Sequence, residues 1–162
     1  MQLWNNYQIF SVEHSMGKMF IALVLSIAGI FIIDQNIKQL FIDGYRFYSD
    51  YVDLILVYNK GVAFSMFAFM GSWLKWLQLL LIIGVGAYIL NLRKNCYVVP
   101  AGILMGAGFS NVYDRFVHSG VVDYVYYHWG FEFAVFNFAD VMIDVAVLWL
   151  LILNLKPRLC RS

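Results

Sequence analysis

The stretch FAVFNFADVMIDVAVLWLLILNL, residues 133–155, decides the fold of this chain. Its only charged side chains are Asp140 and Asp144, and a helix of about 20 apolar residues is long enough to cross a bilayer. A carboxylate inside such a helix is costly to insert, so it marks a candidate functional position. The stretch therefore predicts a membrane-spanning helix whose acidic side chains are candidate functional residues.

The composition of the whole chain also indicates a membrane protein. Of its 162 residues, 62% are hydrophobic and 13% are charged, whereas soluble domains average about 25% charged residues. A soluble domain of this size cannot bury so much apolar surface. The net charge of +1 gives no reason to expect nucleic acid as a partner. Cys96 and Cys160 are expected to form neither a disulfide framework nor a metal cluster, with Cys160 an inert thiol on the reducing side.

Runs of residues without charge predict an all-α integral membrane protein with four spans. A single membrane domain covers residues 1–162, with spans at 18–38, 74–92, 96–114 and 135–155. A cleavable signal peptide is a rival interpretation of the first run, but no small-x-small cleavage site follows Lys18 before Asp34. Basic residues near the helix ends lie mainly on one side of this topology. Both termini are therefore predicted to be cytoplasmic.

The connection at residues 41–72, here called the cradle, is too long for a simple turn. Runs of β-branched and aromatic residues predict two hairpins: one joins residues 51–58 to 62–67 through a turn at 59–61, and the other joins 124–127 to 131–136. Rings with polar edges favour the membrane interface. The fold should thus include a small extramembrane β-hairpin region on the outer side of the membrane.

Acidic residues are predicted to gather at the outer ends of the spans. At a helical rise of about 1.5 Å per residue, Asp34, Asp114 and Asp140 all come near the outer boundary of a hydrocarbon core about 30 Å thick. Asp123 follows in the outer connection and can fold back to the same level. Asp144 lies deeper on the same helix face as Asp140, as either a proton-sharing partner or a protonated acid of the bundle.

Asp123 and Asp140 are the best pair for acid–base catalysis, because no basic residue adjoins either of them in the sequence. Asp34 and Lys38, four residues apart on one helix, are predicted to form a structural ion pair. The histidines are scattered without metal-ligand spacing, and neither a Ser-His-Asp relay nor a phosphate-binding glycine loop is present. No metal ion and no organic cofactor are therefore expected.

Asp114 precedes Arg115 directly, and the two side chains are predicted to neutralise each other. A purely structural role for Asp114 follows from that interpretation, because a paired charge of this kind needs no catalytic function.

Five motifs then occur in a recognisable order. They are Asp34-Gln-Asn-Ile-Lys38, Asn59-Lys-Gly-Val-Ala-Phe-Ser65, Gly106-Ala-Gly-Phe-Ser-Asn-Val-Tyr-Asp-Arg115, Gly120-Val-Val-Asp123 and Phe136-Asn-Phe-Ala-Asp140. This series resembles the bacterial lipoprotein signal peptidases (signal peptidase II), aspartic proteases of the inner membrane. The resemblance covers residues 18–155, which is nearly the whole chain.

The resemblance implies roles for particular residues. The family's catalytic pair falls on Asp123 and Asp140. Positions that help to bind the substrate correspond to Asn59, Asn111, Arg115 and Asn137, and mainly architectural positions correspond to Asp34, Lys38 and Asp114. The sequence departs from the family at Ser110 and Ala107, where glycine is usual, and at Asp144, which is not a usual family residue.

The resemblance also implies the reaction and its setting. The substrate would be a prolipoprotein with a diacylglyceryl group on its lipobox cysteine, cut on the amino side of that cysteine by a water that the two aspartates activate. The enzyme would be surrounded by membrane lipid, with its site near the outer face of the bacterial inner membrane. Globomycin-like cyclic peptides would inhibit it, and a monomer is expected.

Two other functions stay open at this point. A small proton-coupled carrier would use intramembrane acids as a proton relay, and it predicts acids spread through the depth of the membrane. A non-catalytic membrane scaffold would pair the same acids with basic residues of a partner, and it leaves Asp123 unexplained.

Overall fold

The computed structural model describes residues 2–61, 70–92 and 94–160, with side chains from residue 16 onward. Its elements are α1 (Gln2–Ile42), β1 (Val52–Asn59), α2 (Trp73–Asn91), α3 (Val98–Val117), β2 (Val121–Tyr127) and α4 (Phe138–Leu155). Short 3-10 turns, Asn95–Tyr97 and Pro157–Cys160, come before α3 and after α4. Within these residues, four helical segments are long and apolar enough to cross a membrane: Met16–Ile42, Trp73–Asn91, Asn95–Val117 and Phe138–Leu155. The predicted class, four membrane helices with a small β region, is confirmed.

The largest difference from the predicted spans is in α1, which extends well beyond residues 18–38 at both ends. The charge-free run around which that span was predicted begins after Lys18 and stops before Asp34. Lys38 and Asp34 lie inside the helix and bind each other, with 2.6 Å between Nζ and Oδ2. A pair neutralised in this way does not end a helix, which is why charge alone marks the boundary poorly.

The helix α3 is the centre of the bundle and packs against α1, α2 and α4. Of its span, 56% is buried, compared with at most 17% for the other three. Glycine allows α1 to approach closely, because a Cβ at Gly106 would lie 2.6 Å from the carbonyl oxygen of Ile27. The three helices around α3 expose leucine, isoleucine and valine side chains, and these form the kind of surface that contacts the lipid hydrocarbon.

The two strands form one antiparallel sheet, with Val52 opposite Tyr127 and Asn59 opposite Val121. The hairpin predicted within the cradle is wrong for β1, whose partner is β2 and not the segment that follows it. The reason is tertiary: β1 follows α1, β2 follows α3, and these two helices pack together. The strands thus leave the same end of the bundle side by side. The predicted return strand, residues 62–67, lies outside the described residues.

The second predicted hairpin forms only in part. Beyond β2 the chain turns back through Gly130, whose φ of +75° suits a residue without a side chain. The amide of Phe133 then donates to the carbonyl of Tyr127 at 2.9 Å, and Val125 and Phe136 form a single bridge. This return brings the chain to the start of α4, beside β2.

Cys96 and Cys160 are joined in a disulfide, which corrects the expectation of two unpaired cysteines. The cysteines stand 64 positions apart in the sequence, but the 3-10 turns that carry them lie against each other at one end of the bundle. Spacing along the chain cannot reveal such a contact, because it depends on how α3 and α4 pack. The bond lies at the opposite end of α3 from Asp114.

Candidate active site

Asp123 and Asp140 line one cavity of about 480 Å³ between the sheet and the helices. Asp123 comes from β2 and is 1% exposed, and Asp140 comes from the first turn of α4. The cavity wall also contains three of the four predicted substrate-binding residues: Asn59, Asn111 and Arg115. Elements that are distant in the sequence therefore bring the predicted pair and its neighbours to one place.

Two asparagines connect the carboxylates. The Nδ2 atom of Asn137 donates to Asp123 Oδ1 at 2.7 Å and to Asn111 Oδ1 at 3.2 Å. The Nδ2 atom of Asn111 donates in turn to Asp140 Oδ1 at 2.9 Å. Asn59 completes the set by donating from Nδ2 to Asp123 Oδ2 at 3.0 Å. Amide donors thus fix the orientation of both carboxylates without neutralising either of them.

The motif Asn137-Phe-Ala-Asp140 positions its aspartate through the start of α4. Asn137 is the N-cap, and its side chain accepts from the backbone amide of Asp140 at 2.9 Å. Asp140 Oδ2 accepts from the backbone amide of Asn137 at 3.1 Å. This is a capping box, in which residues three apart satisfy each other's free amides. It explains the spacing of the motif, because the same geometry that begins the helix holds the carboxylate at the cavity.

Lys38 is the centre of a second, more deeply buried network. Its Nζ atom lies 2.6 Å from Asp34 Oδ2, 2.7 Å from Asp114 Oδ2 and 2.9 Å from Asn111 Oδ1. An ammonium group has three N–H donors, so this set uses all of them. Lys38 is 1% exposed and both aspartates are fully buried. Asn111 therefore links the ion-pair network to the carboxylate cavity.

The two aspartates of that network also hold the backbone next to the catalytic candidates. Asp34 Oδ1 accepts from the amide of Ala139 at 2.9 Å, which is the residue before Asp140. Asp114 Oδ2 accepts from the amide of Val122 at 3.1 Å, which is the residue before Asp123. Each buried aspartate therefore anchors the chain one residue ahead of one member of the pair.

Gln35 and Ser110 belong to this network, although sequence reasoning gave neither of them a site role. Ser110 Oγ donates to Asp34 Oδ2 at 2.7 Å and accepts from Gln35 Nε2 at 2.8 Å. Gln35 Nε2 also donates to Asp114 Oδ1 at 2.7 Å. Their positions in the sequence could have indicated this role, because Gln35 lies within the first motif and Ser110 stands where glycine is usual. Here the serine adds a donor to the buried carboxylate of Asp34.

The predicted pairing of Asp114 with Arg115 is wrong. Adjacent residues on a helix do not face each other, and Asp114 pairs with Lys38 instead. The guanidinium of Arg115 donates to the carbonyls of Lys60 and Gly61, just beyond β1. Its Nε atom is buried and has no hydrogen-bond partner among the described residues. Arg115 thus holds the chain at the rim of the cavity, and its Nε–H remains as a donor without a partner among the described residues.

Burial raises the pKa of Asp123 to about 7, and the negative charge of nearby Asp140 acts in the same direction. The amides of Asn59 and Asn137 and the charge of Lys38 oppose this shift. Two carboxylates that share one site cannot both ionise cheaply, so such a pair retains a proton near neutral pH. One ionised and one protonated carboxyl is the combination that acid–base catalysis by two aspartates requires.

Asp144 lines the same cavity one turn further along α4. The acids Asp34, Asp114, Asp123 and Asp140 form one group at one end of the bundle, rather than a series through its depth. Within the described part of the chain, no group of three His, Cys, Asp or Glu side chains could hold a metal ion.

This chain is similar to bacterial lipoprotein signal peptidases. The family model for signal peptidase (SPase) II matches residues 25–156. A lipoprotein signal peptidase of Sulfurimonas denitrificans is 68% identical over 140 residues, which cover 86% of this chain and 92% of the relative. Its counterpart in Sulfurovum sp. is 58% identical over 83% of this chain and 92% of the relative. For a Helicobacter pylori lipoprotein signal peptidase the identity is 55%, over 73% of this chain and 76% of the relative.

Solved structures share the fold. A bacterial membrane enzyme determined by the in meso method at 2.3 Å resolution superposes with a TM-score of 0.73. The match covers 83% of this chain and 87% of that one at 20% sequence identity. The family match and the identities to the relatives support a membrane peptidase over a carrier or a scaffold. This chain therefore belongs to the signal peptidase II family, the bacterial lipoprotein signal peptidases, and is a multi-pass membrane hydrolase that cleaves lipoprotein signal peptides.

Proposed function

We propose that this enzyme is an aspartic endopeptidase in which Asp123 and Asp140 activate one water. The substrate is a prolipoprotein that carries a diacylglyceryl group on its lipobox cysteine, and the cut is on the amino side of that cysteine. The observation that carries the proposal is the placement of two amide-linked carboxylates in one cavity. No cofactor takes part.

The reaction follows from one proton held between two carboxyl groups. The ionised carboxylate takes a proton from the water as its oxygen attacks the peptide carbonyl. The protonated carboxyl donates to the developing oxyanion, and a proton then passes to the leaving amine. Because the titration belongs to the pair, the roles are assigned to the pair and not to one residue. The free Nε of Arg115 is a suitable donor to a substrate carbonyl.

Lys38, Asp34 and Asp114 support this chemistry as positioning residues. They hold the backbone amides that precede the two catalytic carboxyls. Asn59, Asn111 and Asn137 orient the carboxyls and line or adjoin the cavity. Donors from β1, α3 and the start of α4 leave the two carboxyls little freedom to reorient, which favours a preorganised site.

We place the cavity at the outer face of the inner membrane, with both termini in the cytoplasm. The end of the bundle that carries the disulfide also carries Lys94, Lys156 and Arg158. Basic residues next to spans stay on the cytoplasmic side. The cavity lies at the other end, where α2 and α4 both form its wall. A lipidated substrate would enter from the surrounding bilayer, and a monomer suffices for this reaction.

Cleavage of a synthetic diacylglyceryl peptide by the purified protein tests the proposal. We expect Asp123→Asn and Asp140→Asn each to reduce turnover by at least about a thousandfold, because each removes one member of the acid–base pair. Asp43→Asn is the matched control, since Asp43 is exposed and lies outside the cavity. Mass spectrometry of the products locates the cut.

Three results would contradict the proposal. Normal turnover by either aspartate variant would remove that residue from the mechanism. Cleavage at another bond would overturn the assigned side of the cysteine. Equal turnover of an unlipidated peptide would overturn the requirement for the diacylglyceryl group. Inhibition by a globomycin-like cyclic peptide is expected, and it should weaken when substrate is raised.

A further inference from the structure

Gln78 is a polar side chain that the site described above leaves unused. It lies in α2 within the run from Leu77 to Val85, which contains no other polar side chain. Its Oε1 atom is buried and accepts no hydrogen bond from any residue that the structure describes. An unsatisfied amide in a membrane span costs free energy. An acceptor kept there at such a cost indicates a donor that comes from outside the chain.

The position of Gln78 relates this acceptor to the reaction. Gln78 lines the cavity that holds Asp123 and Asp140. It also lines an adjoining cavity of about 220 Å³ whose other walls are almost entirely apolar. That second cavity lies between α2, α3 and α4, and Leu81, Leu104 and Ile143 are among its apolar walls. Gln78 therefore stands where the polar dyad meets an apolar groove.

The chemistry of the substrate limits what can pair with an acceptor. The diacylglyceryl group offers a thioether and two esters, which accept hydrogen bonds and donate none. The backbone of the signal peptide offers N–H groups. Those near the groove have little water available, so each needs a protein acceptor.

We infer that Gln78 Oε1 accepts a hydrogen bond from a backbone N–H of the signal peptide, within the four residues before the scissile bond. The inference rests on the proposed function and adds a substrate-binding residue to it. The apolar groove beside Gln78 is where the hydrophobic side chains of that segment would lie. The contact holds the scissile carbonyl in register with the dyad.

A double-mutant cycle between enzyme and substrate tests this contact. Gln78→Met removes the acceptor at similar size, and Leu80→Met is the matched control, because Leu80 is 67% exposed and lines neither cavity. The substrates are one diacylglyceryl peptide and four analogues, each with an ester in place of one of the four backbone amides. We expect Gln78→Met to lower kcat/KM on the all-amide peptide by about tenfold.

One ester analogue should lower kcat/KM of the wild-type and Leu80→Met enzymes by a similar factor, with little further effect on Gln78→Met. Wild-type rates for Gln78→Met on the all-amide peptide would overturn the inference. If Gln78→Met lowers kcat/KM by the same factor on all five substrates, the inference is also overturned, because a uniform loss indicates a structural role for Gln78. If the wild-type enzyme leaves the all-amide peptide intact, the proposed function itself fails, and this contact with it.

Discussion

Four aspartates of the site fall into two pairs that differ in their bonding partners. Asp34 and Asp114 face an ammonium group and hold backbone amides. Asp123 and Asp140 receive only neutral amide donors. Burial, with no cation bonded directly to it, raises the pKa of Asp123. The same residue type thus has two different kinds of partner within one site.

The raised pKa of Asp123 predicts a pH-dependent difference in stability. The unfolded chain releases this proton near pH 3.8, and the folded protein holds it until about pH 7. The stabilisation is complete below pH 3.8 and is lost as the pH rises to about 7. At about 1.4 kcal/mol per pKa unit, the full effect is a few kcal/mol. The melting temperature of Asp123→Asn minus that of wild type should therefore increase from pH 4 to pH 7.5.

Asp43→Asn serves as the reference for that measurement, because Asp43 is exposed and lies outside the cavity. The readout is thermal unfolding of the purified proteins in the same detergent at each pH. A difference for Asp123→Asn that stays constant across the range would show that Asp123 titrates normally.

Sequence reasoning at the residue scale found the catalytic candidates but misassigned some of their neighbours. Asp123 and Asp140 stand out because no basic residue adjoins them, and that property is visible in the sequence. The partner of Arg115 is not visible, since the carbonyls of Lys60 and Gly61 reach it only through the fold. Ser110 was noticed as a departure, but its two hydrogen bonds depend on where α1 lies.

Among the elements, the contact between α1 and α3 governs the geometry of the site. It carries Lys38 to Asp114 and Asn111, and it sets β1 beside β2. The spans were predictable because apolar length is a local property. The strand pairing was not, because β1 and β2 adjoin only after the two helices that precede them have packed.

Gly106→Ala should separate α1 from α3. The added Cβ would lie 2.6 Å from the backbone oxygen of Ile27, which cannot move without moving the helix. We expect a loss of roughly 1–3 kcal/mol in the free energy of unfolding. Reduced turnover should accompany it, as the Lys38 network loosens. The checks are the melting temperature and the rate per folded molecule.

Gly108→Ala is the control for that substitution. Its Cβ would meet the end of the Ile82 side chain at 2.9 Å, and a flexible side chain can rotate away. A loss of stability as large as that of Gly106→Ala would mean that any added methyl group on α3 disrupts packing, and that close backbone approach is not the cause.

In the molecule as a whole, the chemistry and the disulfide lie at opposite ends of the bundle. The bond between Cys96 and Cys160 ties the start of α3 to the segment after α4. It closes a long loop, and by the chain-entropy model such a crosslink stabilises by up to about 4 kcal/mol. Spans that remain inserted in the unfolded state should reduce that figure.

Reduction should therefore lower the melting temperature of the oxidised protein while its turnover at low temperature stays the same. Cys160→Ser should show the lower melting temperature from the outset and should not respond to reductant. Turnover that falls when the bond is broken would mean that the disulfide end of the bundle governs the geometry of the dyad.

The redox state of Cys96 and Cys160 in the cell reports the membrane topology of the protein. Cytosolic glutathione keeps thiols reduced, and the periplasm oxidises them. If the termini are inside, as proposed, the bond between Cys96 and Cys160 is kept reduced in the cell and forms only on later oxidation. Cells quenched with a membrane-permeable alkylating reagent should then yield a chain with two modified sulfurs. A chain that takes up no label before reductant is added would have its termini outside, and the dyad would then face the cytosol.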